Sequence, residues 1–273
     1  MRRPELGQTA LRTRLRLAPW LRSLAARRAY RLVDPDELRG RRRSDTVFVF
    51  GSGASLNDVA EDEWRAIAAH DTFGFNWFVH ERFVRCDFHL IRGIPDTDVD
   101  PAVWKPQLAE YFRTIAENPC FAETAFLVQR GFGAINGNRA LGYRLLPPDR
   151  PVLRWRSSRA PLEALPSRSF ADGLVHGHST LQDAVNAAYL LGWRRIVLTG
   201  VDLYDRRYFW LPAGETRPLD AARGAAAASA HSRADTGMIA ALGRWREWLA
   251  REGVELVVHN PRSLLAEVLP VYG

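Results

Sequence analysis

The hydrophobic positions of this chain fall into short continuous runs, not into a strict alternation. Thr46-Val-Phe-Val-Phe50, Thr72-Phe-Gly-Phe75, Asp87-Phe-His-Leu-Ile91, Ala125-Phe-Leu-Val128, Arg195-Ile-Val-Leu-Thr199 and Val254-Glu-Leu-Val-Val258 are rich in β-branched and aromatic residues. Runs of this kind mark strands buried on both faces, as in a parallel sheet. Helical stretches separate them. One is predicted from about Asn57 to His70, capped by Asn57 or Asp58 with Glu61 in its first turn. A second follows Pro101 and stops near Asn118-Pro119. A third starts at Ser179 or Thr180 and runs to Leu191, closed by Gly192. A fourth spans about 233–252, and a short last one about 262–268. The alternation predicts one Rossmann-like α/β domain, residues 44–273, with a mostly parallel sheet and helices on both faces.

The pattern weakens in three places. Residues 131–170 are rich in Gly, Pro and Arg without a sustained period, and read as short strands and loops. Residues 205–231 form a long connection with four consecutive alanines, the expectation for a lid. Residues 1–43 scatter Leu11, Leu15, Leu17, Trp20, Leu21, Leu24 and Leu32 among arginines, with Pro19 expected to separate two short helices. No internal repeat is visible.

Charge sharpens the picture of that first segment. The net charge is +7, yet residues 1–43 hold 13 arginines and only four acids, so the remainder is slightly acidic. Basicity therefore belongs to an N-terminal arm, and nucleic-acid binding by the globular part is disfavoured. A basic amphipathic arm with a tryptophan suits peripheral contact with an anionic membrane. A flexible tail, an ordinary packed helix or a transit peptide are its other readings. The two cysteines, Cys86 and Cys120, form no metal or disulfide pattern. No apolar run spans a bilayer, so a cytoplasmic location is expected, with the inner membrane face as its extension.

Chemistry concentrates at strand ends. Gly51-Ser-Gly-Ala-Ser-Leu56 follows the first strand and Thr199-Gly-Val-Asp202 ends a later one, so Gly51, Ser52, Gly53, Ser55, Gly200 and Asp202 are candidate nucleotide contacts. The alternative is a tight turn without ligand. A dinucleotide enzyme would carry an acid at the end of the second strand; Asn76 stands there, which disfavours NAD. Asn76 can read a base, ribose or sugar hydroxyl, or simply shape a turn. Ser179 and Thr180, in His176-Gly-His-Ser-Thr180, open a helix whose free N–H groups suit a phosphate; a plain cap is the other reading. His176 and His178 show no nearby acid or thiol in sequence, so no metal site is indicated. Tyr204 and Tyr208 can donate to a departing phosphate, although aromatics beside a loop usually pack. His231, at the far end of the lid, has the side chain of a general base.

Taken in order along residues 46–270, these pieces resemble the bacterial sialyltransferases of glycosyltransferase family 42, known from mucosal pathogens that decorate lipooligosaccharide. Gly51-Ser-Gly-Ala-Ser-Leu56 is similar to that family's Gly-Asn-Gly-Pro-Ser-Leu, and Phe75-Asn-Trp-Phe78 to its Cys-Asn-Gln-Phe. Ile196-Val-Leu-Thr-Gly-Val-Asp-Leu-Tyr204 resembles its Tyr-Leu-Thr-Gly-Ile-Asp-Phe-Tyr. His231-Ser, a helix and Asn260-Pro-Arg-Ser-Leu-Leu265 resemble its His-Ser, helix, Pro-Asn-Ser-Leu-Leu ending. The resemblance implies a GT-A-like variant of the α/β fold with a lid. It implies metal-independent, inverting transfer from a CMP-sugar donor to a glycan or glycolipid acceptor, without a cofactor, in a chain that can form a homo-oligomer. His231 would be the base, Tyr204 and Tyr208 the phosphate donors, and Asn76, the 51–55 loop, Ser179 and Thr180 the donor contacts. Ser52 and Ile91-Arg-Gly93 depart from the family, which has Asn at both places. They open the donor to other acidic sugars, and Arg92 can instead pair with a carboxylate or phosphate. The rival readings are a glycine-loop transferase acting on flagellin or pterins, a non-catalytic nucleotide- or glycan-binding domain and, more weakly, a methyltransferase.

Overall fold

The computed structural model describes residues 6–92, 101–204, 206–215, 217–218, 221 and 237–273. Eight strands form one sheet: β1 (Arg31–Leu32), β2 (Thr46–Phe50), β3 (Asp71–Phe75), β4 (Phe88–Ile91), β5 (Ala125–Gln129), β6 (Pro151–Trp155), β7 (Arg195–Thr199) and β8 (Glu255–Val258). Their order is β1-β6-β5-β4-β3-β2-β7-β8, and every pairing is parallel. The chain first builds outward from β2 to β6, then returns to the opposite side of β2 with β7. The direction reverses between β2 and β7, the place where open α/β sheets form a crevice at the carboxyl edge.

The helices are α1 (Leu6–Ala25), α2 (Pro35–Arg39), α3 (Glu61–Ala68), α4 (Pro101–Glu117), α5 (Ile135–Gly142), α6 (Thr180–Leu191) and α7 (Met238–Arg251). The period-two geometry of strands divides each run between two cores. Val47 and Val49 join Phe73, Leu90 and Leu198 under α6 and α7. Phe48 and Phe50 join Phe126 and Val128 under α3, α4 and α5. Burial on both sides explains why these strands read as unbroken apolar runs.

The structure departs from the expected elements where side chains are drawn elsewhere. Residues 57–60 do not begin α3. Asn57 donates its Nδ2 to the Phe209 carbonyl at 2.9 Å and Ser55 bonds Asp202, so a 3₁₀ turn, Ala54–Asp58, precedes the helix. Glu63 closes the helix start by accepting from the Ala60 N–H at 2.8 Å. The stretch 131–170 contains α5 and β6. Gly137 in α5 lies against the Gln129 carbonyl so closely that a Cβ could not fit. The last element is the short 3₁₀ helix Leu264–Glu267.

The N-terminal segment is joined to the domain. α1 runs through Pro19 without dividing, and its last turns pack on α5: a Cβ on Gly142 would meet the Arg22 Cβ and the Pro19 carbonyl at 2.9 Å. Ser23 is fully buried and hydrogen-bonds Asn138 at 3.2 Å. β1 then adds an edge strand beside β6, and Leu38 of α2 enters the core. This docking through α5 holds the helix together despite the missing N–H of Pro19.

Candidate functional site

The carboxyl ends of β2 and β7 meet in one closed network. The Gly51 N–H donates to the Thr199 carbonyl at 2.8 Å and the Gly53 N–H to the Gly200 carbonyl at 2.9 Å. A Cβ on Gly53 would stand 2.8 Å from the Asp202 Cγ, and one on Gly200, at φ +64°, 2.7 Å from the Leu56 Cγ. The glycines Gly51, Gly53 and Gly200 are therefore filled by one another's surroundings, and the space they free is taken by protein. Asp202 is 4% exposed and accepts from the Ser55 N–H at 3.0 Å, from the Ser55 hydroxyl and from Asn260 Nδ2 at 3.2 Å. Asn260 also lies 3.3 Å from the Tyr204 hydroxyl, and Ser263 donates to the Val201 carbonyl at 2.6 Å. The 51–56, 199–204 and 260–265 motifs, scattered in sequence, are thus one structural unit. Ser52 belongs to it through its carbonyl, which accepts from the Phe209 N–H.

Above this unit lies a cavity of about 160 Å³ lined by Ala54, Ser55, Tyr204, Arg207 and Arg262 among others. Most small-molecule pockets measure roughly 300–1,000 Å³, so this one suits a fragment such as a phosphate. Tyr204 is half-exposed and turns toward it. Tyr208 is buried; its backbone bridges to Gly53, and the Arg217 guanidinium lies 4.5 Å from its ring centroid. Trp210 stacks on His80 at 4.6 Å and approaches Trp77 at 6.1 Å, pinning this stretch over the end of β3. Burial, with help from Arg82 and Arg217, lowers the His80 pKa from 6.5 to about 4, so this histidine is neutral at physiological pH.

Asn76 ends β3 in the left-handed conformation, φ +52°, which Asn adopts more readily than other non-glycine residues. Its side chain makes no hydrogen bond to any described residue.

A second cluster forms where β4 faces the start of α6. The chain leaves α6 to enter β7, so the helix N-terminus sits at the same carboxyl edge. Asp183 is fully buried; one carboxylate oxygen accepts from the Arg92 guanidinium and lies 2.8 Å from His176 Nδ1. Its other oxygen has no partner among the described residues, and neither do the buried Gln182 Nε2 and Ser179 Oγ. Ser179 stands at the N-cap position without using its hydroxyl as a cap. Thr180, half-exposed, is the first residue of the helix. Buried polar atoms are normally paired, so three without partners at one helix start leave hydrogen-bonding capacity for a ligand. His178 lies 3.3 Å from Glu163, and Gly237, just before α7, approaches the same imidazole. Acids thus stand beside both histidines, contrary to the sequence expectation. Even so, no three His, Cys, Asp or Glu side chains gather as a metal site among the described residues. His231 lies outside the described residues.

Arg92 was foreseen as a carboxylate partner, whereas Gln182 and Asp183 were not foreseen. Their signal was available: Gln-Asp in the otherwise apolar first turns of Thr180-Leu-Gln-Asp-Ala-Val is a polar pair on a helix that must be buried.

The fold and this edge define a single α/β domain built on an all-parallel sheet flanked by helices, with its polar groups gathered where the strands end. Solved structures that resemble it include the following two. One is the monofunctional α-2,3-sialyltransferase Cst-I from Campylobacter jejuni, at 17% identity, covering 83% of this chain and 80% of that one, with a TM-score of 0.47. The other is the MAf glycosyltransferase from Magnetospirillum magneticum AMB-1, at 18% identity, covering 84% of this chain, with a TM-score of 0.44. This chain spans 35% of that second protein's length. No protein-family model matches the chain, and no curated protein matches it in sequence.

Proposed function

We propose that this protein is a metal-independent, inverting glycosyltransferase that moves an acidic sugar of the sialic acid type from a CMP-sugar to a glycan acceptor. The observation that carries the reading is the set of unpartnered polar atoms at the start of α6, beside the free amide of Asn76. Of these groups, Ser179 and Asn76 match donor contacts in the family the sequence resembles, and all of them stand on one edge of the sheet. Supporting it is the physical union of the three resembling motifs through Asp202 and Asn260.

The chemistry needs two things: a base for the acceptor hydroxyl and donors for the departing phosphate. Tyr204 and Arg207, at the small cavity, supply hydroxyl and positive charge for the phosphate as the sugar becomes oxocarbenium-like, while Arg262 is ion-paired with Asp58 in the same lining. In this reading Tyr208 assists from below, and Ser179 and Thr180 hold the donor. His231 takes the acceptor proton as the oxygen attacks the anomeric carbon. In this reading the 205–231 segment, much of which lies outside the described residues, serves as a lid that excludes water and suppresses donor hydrolysis. The exposed Leu17 and Leu21 of α1 support contact with the inner membrane surface; no described helix is long and apolar enough to cross a membrane.

The test is calorimetric titration with CMP, UMP, GMP, NAD and S-adenosylmethionine in the presence of EDTA. Selective CMP binding is expected, weakened about tenfold by Ser179→Ala, the scale of one lost hydrogen bond to a charged group. His231→Ala is expected to abolish transfer and leave CMP affinity intact; retained transfer would remove His231 as the base. Preference for another nucleotide would overturn the donor assignment.

A further inference from the structure

The glycines that do leave room for a ligand lie elsewhere on the same edge. Gly131 and Gly133, in the loop from β5 to α5, have nothing within 4 Å of where a Cβ would sit, unlike Gly51, Gly53 and Gly200. They floor a cleft of about 870 Å³ at the carboxyl ends of β5 and β6. Its size falls within the roughly 300–1,000 Å³ of small-molecule sites. Three arginines from separate turns converge on it, Arg130 after β5, Arg156 after β6 and Arg159 beyond, against one acid, Asp172.

The state of those arginines is the telling point. Arg156 donates from its guanidinium to the Ala171 carbonyl, which holds that end of the side chain in place. The Arg130 and Arg159 side chains are exposed and make no ion pair or hydrogen bond to any described residue, and Asp172 neutralises neither. Gln129 donates to the Ser157 hydroxyl at 2.7 Å and stiffens the wall between them. Isolated surface arginines are usually just solvated. Here, two unpaired guanidinium groups border a shaped, glycine-floored cleft beside a third arginine held in place. A guanidinium presents a planar fork of donors that matches carboxylate and phosphate oxygens.

Position gives the cleft its role. β5 is the immediate neighbour of β4, whose end carries Arg92, and strands in a sheet lie about 5 Å apart. Asn136, in the first turn of α5, donates to the Arg92 carbonyl at 3.4 Å and ties the two places together. A molecule seated over Gly131 and Gly133 therefore extends along the edge toward α6 and Asn76.

We infer that this cleft is the acceptor subsite and that it selects an acceptor glycan bearing an oxyanion, a phosphate or a carboxylate. The inference rests on the transferase reading for the word acceptor; the cleft as a site for acidic sugars does not. Arg130 and Arg159 hold the acidic group, and the neutral hydroxyls of the same glycan run toward the donor.

The experiment titrates the full chain with galactose 6-phosphate, galacturonate and galactose as probes, and with CMP in parallel. Binding of either acidic sugar, but not of galactose, is expected, and which of them binds distinguishes phosphate from carboxylate. The double variant Arg130→Gln/Arg159→Gln, altered only at exposed side chains, is expected to weaken that binding about tenfold to hundredfold and to leave CMP affinity unchanged. Equal binding of galactose, or an unchanged double variant, would overturn the inference. So would failure of both acidic sugars, including the case in which phosphatidylglycerol vesicles bind through these arginines instead. Acidic-sugar binding without CMP binding would keep the cleft and remove only the donor reading.

Discussion

Two parts of one sheet edge treat their polar groups in opposite ways. At the ends of β2 and β7, the Ser55 N–H and hydroxyl, the Asp202 carboxylate and the Asn260 amide bond one another, and the glycines are packed against protein. At the start of α6, the Ser179 hydroxyl, the Gln182 Nε2 and one Asp183 carboxylate oxygen are buried without partners among the described residues. The first region pairs its groups with one another, the buried Thr199 hydroxyl excepted, whereas the second leaves three atoms without a partner among the described residues. A glycine motif at a strand end is thus poor evidence for a ligand until it is known what occupies the space, whereas unsatisfied buried atoms point to one directly.

The sharpest way to break this comparison is Gly53→Ala. A Cβ there enters the space of the Asp202 carboxylate and the Gly200 carbonyl, neither of which can yield without loss of the network. A loss of about 3 kcal/mol or more in urea denaturation is expected, the upper end for overpacking at a fixed backbone. An unchanged midpoint would mean the loops are open after all.

An effect of comparable size, and one that sharpens the contrast, is expected from a double-mutant cycle on Arg92 and Asp183. Arg92→Met strands a buried carboxylate and costs roughly 3–5 kcal/mol, whereas Arg92→Met with Asp183→Leu recovers most of it. Denaturation of the three variants measures this. No recovery would show that Asp183 is needed by groups other than Arg92.

The smallest effect comes from pH, through groups buried behind both regions. Burial raises the Glu81 carboxyl from 4.5 to about 7 and lowers His89 from 6.5 to about 3, as it lowers His80 to about 4. Between pH 4.5 and 7 the native state keeps a Glu81 proton that the unfolded chain has lost, so this group makes stability fall as pH rises. Below pH 6.5 the unfolded chain takes two histidine protons that the native state refuses, so stability falls as pH drops. These three groups together place the maximum near pH 6.5–7. Glu81→Gln removes the alkaline-side loss. Its advantage over the natural chain is expected to grow by up to on the order of 3 kcal/mol between pH 4.5 and 8 in urea melts. A constant difference would show that the Glu81 carboxyl ionises freely.

Much of this fold was legible because strands covered on both faces leave unbroken apolar runs, as at 46–50, 125–128 and 195–199. The edge strand β1 was not, since two residues, Arg31 and Leu32, carry no pattern. Nor was α5, whose Asn136-Gly-Asn138 reads as a turn: Gly137 is there for close approach to β5, a tertiary reason. At the candidate site, Asn76, Ser179 and Arg92 stood out by position. Asp183 and Gln182 did not, although a polar pair in the otherwise apolar first turns of a helix was there to be seen; packing is what shows both fully buried.

The pairing of Phe50 with Thr199 has a consequence for how the protein comes into being. During synthesis the Gly51 loop leaves the ribosome long before Gly200 exists, so its final shape waits on a distant stretch of chain. Contacts of such long range slow folding and leave half-made sheets exposed. The edge strand β1 waits similarly for β6. The crevice between these loops is therefore assembled late, and a nascent chain halted before residue 195 would carry every strand from β1 to β6 yet lack the strand that closes the Gly51 loop.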